Sequence, residues 1–507
     1  MGQPEDDVVG EIEVSPETED VSVEKETDLT LASQIDSTSK SYVHQSQSLC
    51  EGEREFVLRR KQVALKSLKK LGVKCKPDSV PHIALLGSAG GHKAVVSFLG
   101  SLHQLQEEGL LDAMLYLGGV AASAWTMSSL YLDPQWTTHM DVAVSTLTDP
   151  VSGLTEALSW MGDEAKEKHS FLSEIWGDLT SGSIMKKLDH LPLPGDSMNV
   201  NNPYPLYSAV NRDCLRYGPE KAKWFEISPH EAGFTDLGLY VDTAHLRSTM
   251  QKEEGTKKND RGIFIPNWLQ DKLNINPFRK TNEEQSILTE WHQKLLASLE
   301  NLDKEPLKSQ VSWLIKKAFG LIEKLDWGTI KNFLYEYSDD EVPPCITHKK
   351  NLQLMDAGVM LNLSFPSFLG EKRDVDLFIA LDFGADGTFK TLTLARDYAA
   401  ELKKPFPKID DVILKDSEWP KDLYIFAGKV KEPTIIYMPI FNKENCEDLE
   451  QYQTRIKAFS TFDLSFSKDK FEFLLETAKN NIKRNKKILR KEIKKAAVRR
   501  EKYKRVK

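Results

Sequence analysis

The chain has 507 residues, 40% hydrophobic and 28% charged, with a formal net charge of −8 at neutral pH. That length and balance suit one large α/β domain or two to three smaller ones, and they exclude a fibrous or wholly low-complexity chain. No apolar run approaches the roughly 18 residues of a membrane span, and the acidic opening MGQPEDDVVG lacks the apolar centre of a secretory signal.

The charge is unevenly spread: residues 1–55 carry 15 acidic and 3 basic side chains, whereas residues 479–507 carry 15 basic and 2 acidic ones. Residues 1–52 are rich in Glu, Asp, Ser, Thr and Gln, with Tyr42 as their one aromatic. Such a segment buries too little apolar surface to offset the entropy of ordering, and it reads as a disordered acidic segment. From Glu53 the apolar spacing of Phe56, Val57, Leu65, Leu68 and Leu71 predicts an amphipathic helix closed by Gly72. HIALLG then reads as a buried strand, SAGG as a turn, and HKAVVSFLGSLHQLQEEGLL as a helix. AMLYLGG is a second strand running straight into the helix SAWTMSSLYL. Strand, turn and helix repeated within fifty residues predict a parallel sheet with crossover helices.

Further on, NLQLMDAG and DLFIALDFG read as buried strands, and YIFAG with TIIYMPIF as a strand pair. Between about 250 and 310, charged runs bracket IFIPNWL, the pattern of a surface excursion or lid. From Phe471 to Val498 the spacing predicts one helix, with Leu474, Ala478, Ile482, Leu489, Ile493 and Ala496 as a narrow apolar stripe among Lys and Arg. The stripe suits weak packing on a partner, and the basic faces suit water or anions. The expected organisation is an acidic segment over 1–52, a main domain over 53–478, and a basic C-terminal helix or tail over 479–507. The five cysteines, Cys50, Cys75, Cys214, Cys345 and Cys446, have no paired or metal-ligand spacing and read as free thiols of a reducing compartment.

Three local patterns bear on chemistry. GSAGG after a strand leaves backbone N–H groups open at a helix start, which serves a tight turn or holds an anion. LGGVAAS supplies the small residues needed where strand and helix backbones meet closely, and no G-x-S-x-G occurs anywhere in the chain. MDAG sets Asp356 at a strand end, where a carboxylate either caps the next loop or faces an active site.

Taken together and in this order, the three patterns resemble the catalytic domain of group IV cytosolic phospholipases A2, most nearly the gamma type, which lacks a calcium-binding C2 domain. The resemblance runs from about Phe56 to about Lys495. It passes through LLGSAGGHKA, LQEEGLLDAMLYLGGVAASAWTMSSLY, WFEISPHEAGF, LMDAGVMLNLSFP, DVDLFIALDFGADG and NNIKRNKKILRKE. It implies a patatin-like α/β fold: a central, largely parallel sheet flanked by helices, with a cap or lid. It also implies enzymes that hydrolyse glycerophospholipid esters through an acyl-serine, using a Ser–Asp dyad without histidine. No metal or cofactor is implied.

Carried over residue by residue, the family's nucleophilic serine falls on Ala121 and the glycine after it on Ala122. The oxyanion-hole glycines fall on Gly90 and Gly91, the phosphate-stabilising arginine on Lys93, and the dyad aspartate on Asp356. A methyl group forms no acyl-enzyme, and a lysine keeps the charge of arginine without its planar fork. Ser123 lies about 200° further round a helix from position 121 and is expected to point elsewhere. The resemblance therefore implies an inactive relative, cytoplasmic or peripheral on intracellular membranes, kept to bind phospholipid or an anionic membrane surface or to join a homo-oligomer or protein partner. Lys483, Arg484, Lys486, Lys487, Arg490, Lys491, Lys494 and Lys495 are the anion-binding candidates. The alternative is residual calcium-independent phospholipase A2, lysophospholipase or transacylase activity. Nucleic acid is not an expected partner, since Tyr503 is the tail's one aromatic and no nucleic-acid module precedes it.

Overall fold

The computed structural model describes residues 42–131, 133–147, 199–215, 223–243, 329–384, 389–429, 431–459 and 467–506. Contacts divide the chain into Met1–Val43 and His44–Lys507, and the architecture below is that of the second unit. Residues 1–41 of the expected acidic segment and the whole of the expected lid over 250–310 fall outside the described residues, whereas residues 42–52 are described and already contain a strand and the start of a helix.

The strands are β1 (His44–Gln45), β2 (Ile83–Gly87), β3 (Tyr116–Gly119), β4 (Tyr204–Asn211), β5 (Trp224–Ile227), β6 (Glu231–Phe234), β7 (Leu239–Asp242), β8 (Thr329–Lys331), β9 (Asn351–Asp356), β10 (Leu377–Asp382), β11 (Tyr424–Phe426) and β12 (Thr434–Pro439). Ten of them run in the order β1-β7-β6-β5-β4-β3-β2-β10-β12-β11, while β9 pairs with β4 and β8 with β9. Only the middle is parallel: β4, β3, β2, β10 and β12 pair in parallel register, and both flanks are antiparallel. The central sheet is thus mixed rather than largely parallel. Four of its parallel strands, β2, β3, β10 and β12, are buried along their whole length, as strands covered by helices on both faces must be.

The helices are α1 (Glu51–Lys70), α2 (Gly91–Glu107), α3 (Ala121–Leu130), α4 (Met140–Leu147), α5 (Lys390–Glu401), α6 (Leu449–Ala458) and α7 (Lys468–Val506), besides short turns. α1 is anchored from within the core. Its Arg60 donates to the carbonyls of Met114, Leu111 and Val200 at 3.0–3.1 Å, and its Glu53 carboxylate meets Arg373 through two hydrogen bonds of 2.9 and 3.0 Å.

The C-terminal helix differs most from its reading as a tail. It runs unbroken from Lys468 through residue 479 to Val506, and the stripe of Leu474, Ala478, Ile482, Leu489, Ile493 and Ala496 is buried in the main core beside α2. That stripe is therefore spent on the body of the fold and is not free to enter a bilayer. Buried asparagines tie the helix further, Asn481 Nδ2 to the Ile440 carbonyl at 2.8 Å and Asn485 Nδ2 to Asp422 at 2.9 Å. Near its end Arg499 donates to Thr434 Oγ1 at 2.7 Å, and Arg500 pairs with Asp374 at 3.1 Å and with Asp376. Among the described residues, no helix is long and apolar enough to cross a membrane.

Candidate active site

β2 and β3 are neighbours in parallel, with Gly87 level with Gly119, so the loops leaving their C-terminal ends emerge side by side. This is where ligand sites form in open parallel sheets. After β3, Val120 is extended at φ −123° and Ala121, the first residue of α3, has φ +47°. A left-handed backbone at a residue with a side chain costs about 1–2 kcal/mol. Strain of this kind lifts the side chain at the tip of a nucleophile elbow clear of strand and helix; here it presents a methyl group. Gly119 permits the tight approach, since a Cβ there would lie 2.7 Å from Met127 Sδ and 2.8 Å from the Ala124 amide nitrogen. Ala121→Gly is expected to relieve more strain than it adds chain entropy. Its thermal unfolding midpoint should rise by about 1–2 °C, and an unchanged or lower midpoint would show that the strain is not there to relieve.

The loop after β2 supplies the other half. Gly90 has φ +152°, a conformation that favours glycine, and a Cβ on it would lie 2.7 Å from the Phe383 carbonyl oxygen. Gly91, at φ +60°, opens α2, so its N–H has no acceptor within the helix. Lys93, two residues in, is buried.

Two serines that the sequence reading left without a structural role hold these loops together. The Ser123 hydroxyl, fully buried, donates to the Ser88 carbonyl at 2.6 Å. It is therefore engaged in scaffolding. The Ser88 hydroxyl donates to the Ala89 carbonyl at 2.8 Å and accepts from the Phe383 amide at 2.7 Å, which joins the loops after β2 and β10. The Ala89 amide donates to the Asn362 carbonyl at 3.1 Å, which brings in the loop after β9. Nothing in local spacing marks these serines, because the partners through which they join the loops lie 35 and 295 residues away.

Asp356 ends β9, and register gives its place. β5 takes one edge of β4 over residues 207–210, so β3 and β9 share the other edge: Tyr207 pairs with Gly119 at the end of β3, and two residues on Ala209 pairs with Asp356 at the end of β9. Asp356 thus follows Gly119 along one edge of β4 at about 6–7 Å, two residues of strand rise, where the loop bearing Ala121 leaves the sheet.

The basic candidates lie elsewhere, on α7. Lys483, Arg484, Lys487, Arg490, Lys491, Lys494 and Lys495 are exposed, and Lys486 is half-buried against Glu108 at 3.1 Å. Arg484 donates to Asn481 at 2.6 Å and Lys495 to Glu492 at 2.7 Å. Lys483, Lys487, Arg490, Lys491 and Lys494 recur at helical spacing along one face.

The cysteines depart from the sequence reading. Cys214 and Cys345 form a disulfide with Cα atoms 5.1 Å apart, and Cys50, Cys75 and Cys446 remain thiols. Their separation of 131 residues gave no local signal.

Residues 83–180 match the family model of the lysophospholipase catalytic domain. Human cytosolic phospholipase A2 gamma is 28% identical over 515 aligned positions, covering 87% of this chain and 94% of that protein. Mouse cytosolic phospholipase A2 zeta is 27% identical, covering 87% of this chain and 61% of its own length. The solved structure of human GIVD cytosolic phospholipase A2 superposes with a TM-score of 0.64 at 21% identity, over 90% of this chain and 68% of that one. That likeness establishes the fold.

Proposed function

The chain belongs to the cytosolic phospholipase A2 family, and from that premise we propose that it is a catalytically silent member that binds phospholipid at anionic membrane surfaces without hydrolysing it. The observation that carries this reading is Ala121 at φ +47°: the strained elbow is kept and its hydroxyl is missing. The nearest hydroxyl in sequence, that of Ser123, is buried and committed to the Ser88 carbonyl. With an alanine at the tip no acyl-enzyme forms, and the remaining oxyanion glycines accelerate ester hydrolysis by at most about 10³–10⁴-fold over water, far below a working enzyme.

Membrane attachment in this reading is peripheral, on intracellular membranes, and electrostatic. The face of Lys483, Lys487, Arg490, Lys491 and Lys494 meets the headgroups while the apolar side of α7 stays in the core. Each cation near an anionic leaflet contributes about 1 kcal/mol, screened by salt. Replacing Lys483, Lys487, Lys491 and Lys494 with Gln is expected to weaken co-sedimentation with phosphatidylserine vesicles at least about tenfold, more at low salt, with an unchanged thermal midpoint. Acyl release is measured on the same samples. Wild-type protein that binds and releases no fatty acid supports the reading. Steady phospholipid turnover by wild type overturns its silent half, and binding indifferent to the four substitutions overturns its electrostatic half.

A further inference from the structure

We infer that Cys214 and Cys345 form a reversible redox pair, opened by a dithiol reductant, that controls how firmly the Asp356-bearing strand is held against the sheet. The inference is independent of whether the chain hydrolyses lipid.

β9 is lightly attached. It pairs with β4 over three residues, Asn211 with Leu354 through Ala209 with Asp356, and its other neighbour is the three-residue β8. The disulfide closes the end of that short ladder. Cys214 lies three residues beyond the end of β4 and Cys345 six residues before the start of β9, so the bond joins the two segments where they leave the paired strands. A short ladder opens easily by local unfolding, and a covalent tie at its end suppresses that opening.

The setting suits selective and reversible chemistry. Cys214 is fully buried and Cys345 half-buried, so an incoming thiolate reaches the Cys345 sulfur and expels Cys214 as the leaving thiolate. The second thiol of the reductant then attacks the mixed disulfide. Two electrons and two protons pass from the dithiol to the protein, leaving two cysteine thiols and one oxidised reductant. After reduction the same segments stay close through other contacts. Lys349 pairs with Asp213 across them, and Asn332 Nδ2 fixes the Cys345 loop by donating to the carbonyls of Ile346 and Lys349 at 2.6 Å each. The thiols are thus kept near each other for reoxidation. The remaining cysteines compete poorly: burial pushes the Cys75 thiol up to about 11 and Cys50 to about 12, and raises Cys446 as well. High-pKa thiols contribute little thiolate at neutral pH. Three unpaired thiols beside one disulfide also separate this chain from a fully oxidised scaffold, and isolated disulfides in reducing compartments are usually redox-sensing.

The test uses the full chain equilibrated in oxidised or reduced glutathione buffer, denatured in N-ethylmaleimide and weighed intact, with amide hydrogen exchange read in parallel. The oxidised protein is expected to take three maleimides and the dithiothreitol-reduced protein five. Exchange over residues 351–356 should quicken at least tenfold on reduction and recover on reoxidation, while residues 91–107 stay unchanged. The Cys214→Ala/Cys345→Ala double variant should show the faster rate in both buffers. Five adducts after equilibration in oxidised glutathione would overturn the pair. Exchange over 351–356 that ignores the redox state of wild type would overturn its effect on the strand, whether or not the variant folds.

Discussion

Ala121→Ser is expected to give a chain that reacts stoichiometrically with a serine-directed fluorophosphonate and hydrolyses phospholipid at least about 10²-fold faster than wild type. The expectation rests on what the elbow already has. Strain at φ +47° comes from the Cβ, which alanine and serine share, so the substitution adds a hydroxyl at the tip without a new backbone demand. Gly90 and Gly91 have left-handed conformations beside it, Ser123 and Ser88 hold the two loops together, and the register sets Asp356 just past Gly119 on the same edge of β4. Full family rates are not expected, because in the proposed reading Ala122 takes the place of a glycine and Lys93 that of an arginine. Adding Lys93→Arg should therefore raise kcat/KM further, by restoring a planar donor pair for phosphate. An Ala121→Ser protein that melts like wild type yet takes no label would mean that the elbow no longer faces a competent site. Label on wild type that vanishes in Ser123→Ala would mean that the chain was never silent.

Arg373→Met is expected to destabilise the fold by about 3–5 kcal/mol, which is a large part of a typical stability. Arg373 is buried and joins three separate parts of the chain: Glu53 on α1, Glu226 on β5 at 2.8 Å, and the Ser367 carbonyl at 2.7 Å. Beside it, Lys372 reaches Glu226 at 3.5 Å, pairs with Glu231 and sits 3.3 Å above the Tyr240 ring. Removing the guanidinium leaves Glu53 without its bidentate partner and Glu226 with the more distant lysine. Burial by itself pushes the Glu226 carboxyl up, and the Arg373 and Lys372 charges outweigh it and hold the group below its ordinary 4.5. A carboxylate depressed in the folded state stabilises the fold above its unfolded pKa, and that contribution is lost as the pH falls through the folded value. The gap between wild type and Arg373→Met in urea midpoint should therefore be widest near pH 7 and narrow below about pH 4.5. Glu53→Gln and Glu226→Gln added to Arg373→Met should recover part of the loss, because they remove the stranded charges. A variant that unfolds at the wild-type urea concentration would show that the cluster contributes nothing net.

The same cluster shows why part of the sheet was illegible in sequence. WFEI, EAGF and LYVD form an antiparallel meander, β5 to β7, and no strand was read there. Two of these segments place Glu226 and Glu231 in the core, so the apolar patterning that marks a strand is broken where the strand is most buried. Cations from residues 372 and 373, some 140 positions on, join Thr235 and His44 in making those carboxylates tolerable inside the protein. The parallel strands have no such interruption, and IALLG and LFIALD are readable as strands from composition alone.

The C-terminal helix divides in the same way. Its length and apolar stripe follow from 3.6-residue spacing and are legible within the sequence. What the stripe touches is set by α2, nearly four hundred residues earlier, and so a segment that reads as a free basic tail is a buried element with one solvated face.

By itself the sequence determined the alternation of strand and helix and the family to which the three motifs point, because each lies in contiguous residues or in motif order. Only the tertiary structure decided that Ala121 keeps a left-handed elbow, that Ser123 is committed to scaffolding, that Cys214 and Cys345 meet, and that both flanks of the sheet are antiparallel. Those outcomes depend on groups tens to hundreds of residues apart converging on one place, and local spacing does not encode convergence.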